Sequence, residues 1–210
     1  MKTLKLFAVL FLSLATSSFG ANLVANSSFE EPITYDGAPF VGSWEGFMGG
    51  GATAGNSTML PRTGLQSVAL SINNTPNTFA GVFQDIPGLV SGTEYTFAGW
   101  HVTPSSPLNL GVEVRIEWRN ELANSEISRT PNLTPVPSAE YTPFSLTAAV
   151  PVGADTARIV YAIQSFSTSP LGDGTVHVDD FSFMLVPEPS AVALLAFGGA
   201  ALMLLRRPRR

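Results

Sequence analysis

The stretch Leu110–Trp118, "LGVEVRIEW", alternates without a break. Leu110, Val112, Val114, Ile116 and Trp118 fall on one face, and Gly111, Glu113, Arg115 and Glu117 on the other. That is the period-two signature of a half-buried strand, because successive side chains of a strand point to opposite faces whereas helical stripes recur every three to four residues. "EYTFAGWHV", "QSVALSI", "GVFQDI", "TARIVYAI" and "TVHVDDFSFML" are further runs rich in β-branched and aromatic residues. Turn clusters such as "PGLVSGT", "TPSSP", "PVGAD" and "SPLGDG" separate them. No sustained helical stripe and no internal repeat interrupts the series between Ala21 and Val186. The spacing predicts one all-β domain of roughly eight to ten strands, packed as a two-sheet sandwich. "GFMGGGATAG" is expected to be a flexible loop, and "RTPNLTPVPSAEYTP" (residues 129–143) a long exposed one.

The two ends differ from this body. Met1–Gly20 carries Lys2 and Lys5, an apolar run from Leu6 to Leu14, and small residues ending in Ser18-Phe19-Gly20. That order is a secretory signal peptide with a cleavage region before Ala21. A buried amphipathic helix would need a polar face, which this run lacks. At the other end, "VPEPSAVALLAFGGAALMLLRRPRR" holds an uncharged stretch, Ala191–Leu205, followed by Arg206, Arg207, Arg209 and Arg210. Those residues as a helix span about 22 Å, against a hydrocarbon core of about 30 Å. Val186–Ser190 would supply the rest, but Pro187 and Pro189 are poor helix material. Basic residues stay on the cytoplasmic side, which puts the body outside. The segment is either a single-span anchor or a sorting signal cut near the Pro-Glu-Pro turn.

Composition narrows the chemistry of the body, residues 21–186. The chain has no cysteine, so disulfides, thiolate metal sites and cysteine nucleophiles are excluded. Both lysines lie in the leader. In the body five arginines (Arg62, Arg115, Arg119, Arg129 and Arg158) face fifteen carboxylates, a net charge of −10, where the whole chain shows −5. Such a surface repels nucleic acid and anionic membranes and is compatible with cations. His101 and His177 stand alone in strands, without a zinc-binding spacing, and no Gly-x-Ser-x-Gly elbow or phosphate loop is present. A glycosidase needs two carboxylates at a set separation, and most acids here belong to turns or strand faces. The expectation is a non-catalytic protein.

The tail resembles a PEP-CTERM sorting domain. The motif is Pro187-Glu188-Pro189, with a short apolar helix over 191–205 and an arginine-rich end that includes Arg206 and Arg207. The resemblance implies an exosortase-type processing enzyme as partner, transient anchoring in the inner membrane, and a final place in the envelope, surface or extracellular matrix of a Gram-negative bacterium that makes exopolysaccharide. It also makes the four Asn-x-Ser/Thr sites, at Asn26, Asn56, Asn73 and Asn132, coincidental.

The order of motifs in the body carries a second resemblance. "NLVANSSFEE" opens the domain, "SWEGF" and "PRTGLQSVALSI" follow, and "VHVDDFSFML" closes it. This resembles the galactose-binding-like jelly roll of carbohydrate-binding modules. The resemblance implies first and last strands lying close together, and a structural Ca²⁺ held by Glu30, at the Phe-Glu position, and Asp179, first of the closing pair. Main-chain oxygens from a turn such as "PRTG" would complete its oxygen shell. Asp180 is expected to point to the opposite face if the strand is regular.

Sugar sites join an aromatic platform to fixed polar groups. Trp118 continues an apolar strand face and belongs to the core, while Trp44 could be core or rim. Trp100 is the candidate platform, with Gln84 and Arg115 as its polar neighbours and Glu113 and Glu117 on a flanking strand. The expected function is an exported, non-catalytic protein that binds extracellular polysaccharide. A structural matrix protein of the same fold without a sugar site is the alternative, and a glycan hydrolase a more distant one.

Overall fold

A computed structural model describes residues 20–187 apart from 74, 76, 107 and 166–172. The leader (1–19) and the stretch 188–210, with Glu188, Pro189, Arg206, Arg207 and the apolar segment 191–205, lie outside the described residues. Ala21–Leu185 forms one compact unit. Among the described residues no helix is long and apolar enough to cross a membrane.

Ten strands follow one another: β1 (Glu45–Gly49), β2 (Thr53–Ser57), β3 (Ser67–Ile72), β4 (Phe79–Pro87), β5 (Glu94–Val102), β6 (Gly111–Asn120), β7 (Ser125–Arg129), β8 (Thr142–Ala149), β9 (Thr156–Gln164) and β10 (Gly174–Leu185). They build two five-stranded sheets, ordered β1-β4-β9-β6-β7 and β2-β3-β10-β5-β8, with antiparallel pairing between neighbouring strands. This is an all-β two-sheet sandwich, as the alternation predicted, with the jelly-roll architecture that the resemblance implied. The inner faces interdigitate as the period-two pattern requires: Val112, Val114, Ile116 and Trp118 from β6 meet Val68, Leu70, Val176 and Val178 from the second sheet in one core. Trp44, fully buried, belongs to this core too, and its indole N–H donates to the Asn26 carbonyl at 3.1 Å. Around it Phe29 and Phe181 pack at ring-centroid distances of 5.0 and 5.4 Å.

Two segments depart from the sequence reading. "GFMGGGATAG" is not a loop. Its ends are β1 and β2, and only Gly50, Gly51 and Ala52 turn the chain from one sheet to the other, the two glycines at φ +66° and +81°. The second departure is in β10, where the pairing with β5 shifts register between Asp179 and Ser182 and Asp180 adopts φ 50°. This β-bulge inserts one residue and breaks the alternation. Asp180 therefore does not point away from Asp179, and both carboxylates reach the same turn, Arg62–Thr63.

Candidate functional site

The outer face of the first sheet is a grid that the register fixes. Asp85, Arg158, Glu117 and Arg129 lie side by side across β4, β9, β6 and β7. In the next row Phe83, Val160 and Arg115 align, and in the one after it Phe47, Gly81, Ala162 and Glu113. Opposite charges alternate along β6 and across the strands, so nearly every charge is paired. Arg115 bonds Glu117 at 2.8 Å and Glu113 at 3.2 Å. Arg158 grips Asp85 through two bonds of 2.7 and 2.8 Å. Glu113 also accepts from Asn132 at 2.6 Å and from Gln164 at 2.5 Å. These side chains are thereby held in place by one another.

Beside this polar ladder runs a strip of four phenylalanines. Phe40, from the loop before β1, meets Phe83 edge-on at 5.0 Å; Phe83 meets Phe47 at 6.1 Å; Phe47 meets Phe79 at 6.2 Å. Glycines make the strip possible: a side chain at Gly81 would collide with the Phe47 ring, and one at Gly49 with the Phe79 ring. The rings thus lie down on the sheet and keep one side open, with Phe40 and Phe79 36% and 41% exposed. The Arg158 guanidinium sits 4.0 Å from the Phe83 ring centre and fixes that ring from the polar side. At the end of the strip a cavity of about 260 Å³ opens among Phe40, Phe83, Arg119, Asn120, Asn124 and Thr156. The arrangement offers flat apolar rings on one side and rigid donors and acceptors on the other.

The outer face of the second sheet is built differently. Trp100 is there, paired in register with Asp179, but Arg62 covers its ring at 3.8 Å. The same Arg62 bonds Asp180 at 2.5 Å. Asp179 is completely buried and accepts the backbone N–H groups of Arg62, Thr63 and Asp180 at 2.8, 3.2 and 2.7 Å. Burial pushes its carboxyl up to about 6, against the pull of those amides. Glu30 grips the other end of the turn, accepting the N–H groups of Leu65 and Gln66 at 3.0 and 3.1 Å. Tyr141 closes the cluster by donating to the Leu60 carbonyl at 2.5 Å, and burial, with Asp179 and Asp180 nearby, raises its phenol.

The sequence-derived candidates are therefore divided between the two faces. Arg115 lies on the first sheet and Trp100 on the second, so they share no site. Gln84 faces inward from β4 and is buried. Its amide is consumed by the Ala25 N–H and the Ala25 and Ser43 carbonyls at 2.8, 3.0 and 2.7 Å, which ties the N-terminal segment to the sandwich. Glu30 and Asp179 do converge on the "PRTG" turn. Among the described residues no group of three or more His, Cys, Asp or Glu side chains forms a metal cage. Phe40, Phe47, Phe79 and Phe83 were not singled out by sequence, although Phe83 shares strand parity with Gly81 and Asp85, the mark of an outer face.

The fold defines a jelly-roll β-sandwich, and the solved structures similar to it include carbohydrate-binding modules. Among solved structures the chain is similar to TmCBM61 in complex with beta-1,4-galactotriose, at 12% identity and a TM-score of 0.53, covering 79% of this chain and 99% of that one. The CBM22-1 xylan-binding domain from Paenibacillus barcinonensis matches at 14% identity and 0.53, over 80% of this chain and 97% of that one. The enzymatically active domain of bacteriophage CBA120 tailspike protein 4 matches at 17% identity and 0.59, over 79% of this chain, which spans only 21% of the tailspike chain. An arabinose-bound α-L-arabinofuranosidase matches over 27% of its own chain. No protein-family model matches, and no curated protein matches significantly.

Proposed function

We propose that the body is an exported, non-catalytic carbohydrate-binding module whose site is the outer face of the first sheet, with extracellular polysaccharide as its ligand. One observation carries this reading: four phenylalanine rings in line beside a pre-paired polar ladder. The apolar C–H faces of successive sugar rings stack on Phe40, Phe47 and Phe79, with Phe83 held between them by Arg158, and hydroxyls bond to Glu113, Arg115 and Gln164. Because ion pairs already hold the ladder, ligand binding loses little side-chain entropy. The same ion pairs occupy Asp85, Glu113 and Glu117 structurally, which favours binding over hydrolysis. The fold likeness to modules that bind sugars supports the reading, and the tailspike and arabinofuranosidase chains among the neighbours make product release the proper control.

The test is affinity electrophoresis of residues 21–186 through gels containing a polysaccharide panel, with product analysis of the same mixtures. Retardation by one polymer without release of shorter sugars supports the module. A folded domain that no polymer retards refutes it and leaves the structural matrix protein.

Two further parts belong to this proposal. The Met1–Gly20 leader exports the chain, and an exosortase-type enzyme processes the tail at Pro187-Glu188-Pro189, leaving the body in the envelope or matrix of a Gram-negative cell. Intact mass of the secreted protein tests both cuts. A structural Ca²⁺ held by Glu30 and Asp179 also fits the residues present. The side-chain donors are carboxylate oxygens, Asp179 is buried without a guanidinium of its own, and both carboxylates are held on the same turn by its backbone N–H groups. Such an ion would neutralise a buried charge and pin the turn.

A further inference from the structure

Three turns meet at one pole of the sandwich, and each carries an aliphatic side chain at its tip: Val90 between β4 and β5, Leu122 between β6 and β7, and Val152 between β8 and β9. Their exposures are 66%, 97% and 89%. The turns are tied to one another. The Leu89 N–H donates to the Asp155 carbonyl at 2.8 Å, the Glu121 N–H to the Asp155 carboxylate at 2.9 Å, and the Asn120 amide to the Gly153 carbonyl at 3.1 Å. The three tips are thus one fixed constellation, whereas isolated exposed aliphatics are ordinary on protein surfaces.

The chain leaves the sandwich at this same pole. Leu185 pairs with Tyr95, next to the turn that carries Val90. Six Cα steps later the uncharged stretch Ala191–Leu205 begins, a reach of about 20 Å at most. If that stretch enters a bilayer, the body is held with this pole close to the lipid.

We infer that, while the tail is still attached, the pole formed by the Val90, Leu122 and Val152 turns is a lipid-contact surface that rests on the bilayer interface. The inference rests on the reading of the tail as a membrane segment. The rigid tips enter the interfacial zone, gain apolar burial there, and fix the tilt of the body so that its phenylalanine face stands sideways to the membrane. Glu94 and Glu121 are exposed around the tips, which disfavours anionic headgroups and makes the occupant a zwitterionic surface.

The absence of cysteine allows a direct test. In the full chain without its leader, reconstituted in phosphatidylcholine nanodiscs, single cysteines replace Val90, Leu122 or Val152 and carry an environment-sensitive fluorophore. Val136, 79% exposed in the loop whose Ser138 carbonyl accepts the Thr103 N–H at the far end of β5, is the control. Phe197→Cys reports on the tail. Blue-shifted emission with quenching by lipid-borne spin labels at all three tips, and not at Val136, is the expected result. Equal loss of that shift in nanodiscs containing phosphatidylserine supports the zwitterionic assignment, and an undiminished shift there overturns it. Solvated tips with a quenched label at 197 overturn the lipid-contact surface and leave the tail reading standing. Solvated labels everywhere overturn both.

Discussion

The two outer faces of this sandwich bear the same kinds of residue, aromatic, arginine and carboxylate, and put them to opposite uses. On the second sheet the arginine lies on the aromatic ring: Arg62 caps Trp100 and anchors Asp180, so ring and charge close over each other. On the first sheet the guanidinium of Arg158 sits beside Asp85, close against the Phe83 ring at 4.0 Å and more loosely over Phe40 at 5.3 Å, while Phe40 and Phe79 keep 36% and 41% of their surface exposed. The first arrangement seals a buried carboxylate and stabilises the fold. The second leaves a surface for something else to cover. An aromatic residue near an arginine therefore marks a site only when neither is fully occupied by the other.

Substitutions can break this division. Asp179→Ala carries the largest stability effect, because it strands the three backbone N–H groups that the buried carboxylate accepts and releases the Arg62–Thr63 turn. The expected loss is on the order of 3 kcal/mol, a fall in Tm of roughly 6–12 °C, with glycan retention unchanged below the transition. Thermal melts and gel retardation on the same sample decide it. Phe40→Ala with Phe79→Ala should do the converse. Both rings are partly exposed, so Tm should stay nearly constant while affinity drops by about tenfold or more. Added Ca²⁺ should raise Tm and chelator should lower it in the parent but not in Asp179→Ala, as calorimetry would show.

Acid should act on the core shared by both faces. His101 is buried, with its Nδ1 2.7 Å from the Tyr161 hydroxyl, and burial lowers its pKa from 6.5 to about 4. The unfolded chain takes up the proton first, so the stability His101 confers is complete above about pH 6.5 and is lost as pH falls towards 4. Asp179 has the opposite sign. Raised from 3.8 to about 6, it favours the folded state increasingly as pH falls through that window, partly hiding the histidine effect. His101→Gln should flatten the fall in denaturant midpoint between pH 6.5 and 4, and Asp179→Asn should steepen it. The smallest effect is expected for Trp100→Ala. It removes one stacked guanidinium contact worth about 0.5–1 kcal/mol and should leave retention intact.

The strands of the core were legible because they alternate. β5 spans the run "EYTFAGWHV" from end to end, and β6, β9 and β10 fall within a residue or two of theirs. β1 and β2 were hidden because glycine spoils a strand by composition, although in β1 it is required at Gly46 and Gly49 by the Tyr35 and Phe79 rings that lie against them. The proposed site was half visible. The ladder Glu113, Arg115 and Glu117 stood out as the polar parity of β6, but parity assigns residues to two faces without saying which strands become neighbours. Only the strand order, with β4 and β9 between β1 and β6, brings Phe47 and Phe83 to that ladder and leaves Trp100 on the other sheet. Asp180 was misplaced for a related reason, since a bulge is invisible to a pattern that assumes regular pleating.

The most direct test of this division is affinity electrophoresis of three proteins in one polysaccharide gel: the parent body, Phe40→Ala/Phe79→Ala, and Trp100→Ala. Retardation of the parent and of Trp100→Ala, with free migration of the double variant, is the result expected if the phenylalanine strip is the sugar platform. Free migration of Trp100→Ala with retention of the double variant would contradict it and place the site on the second sheet.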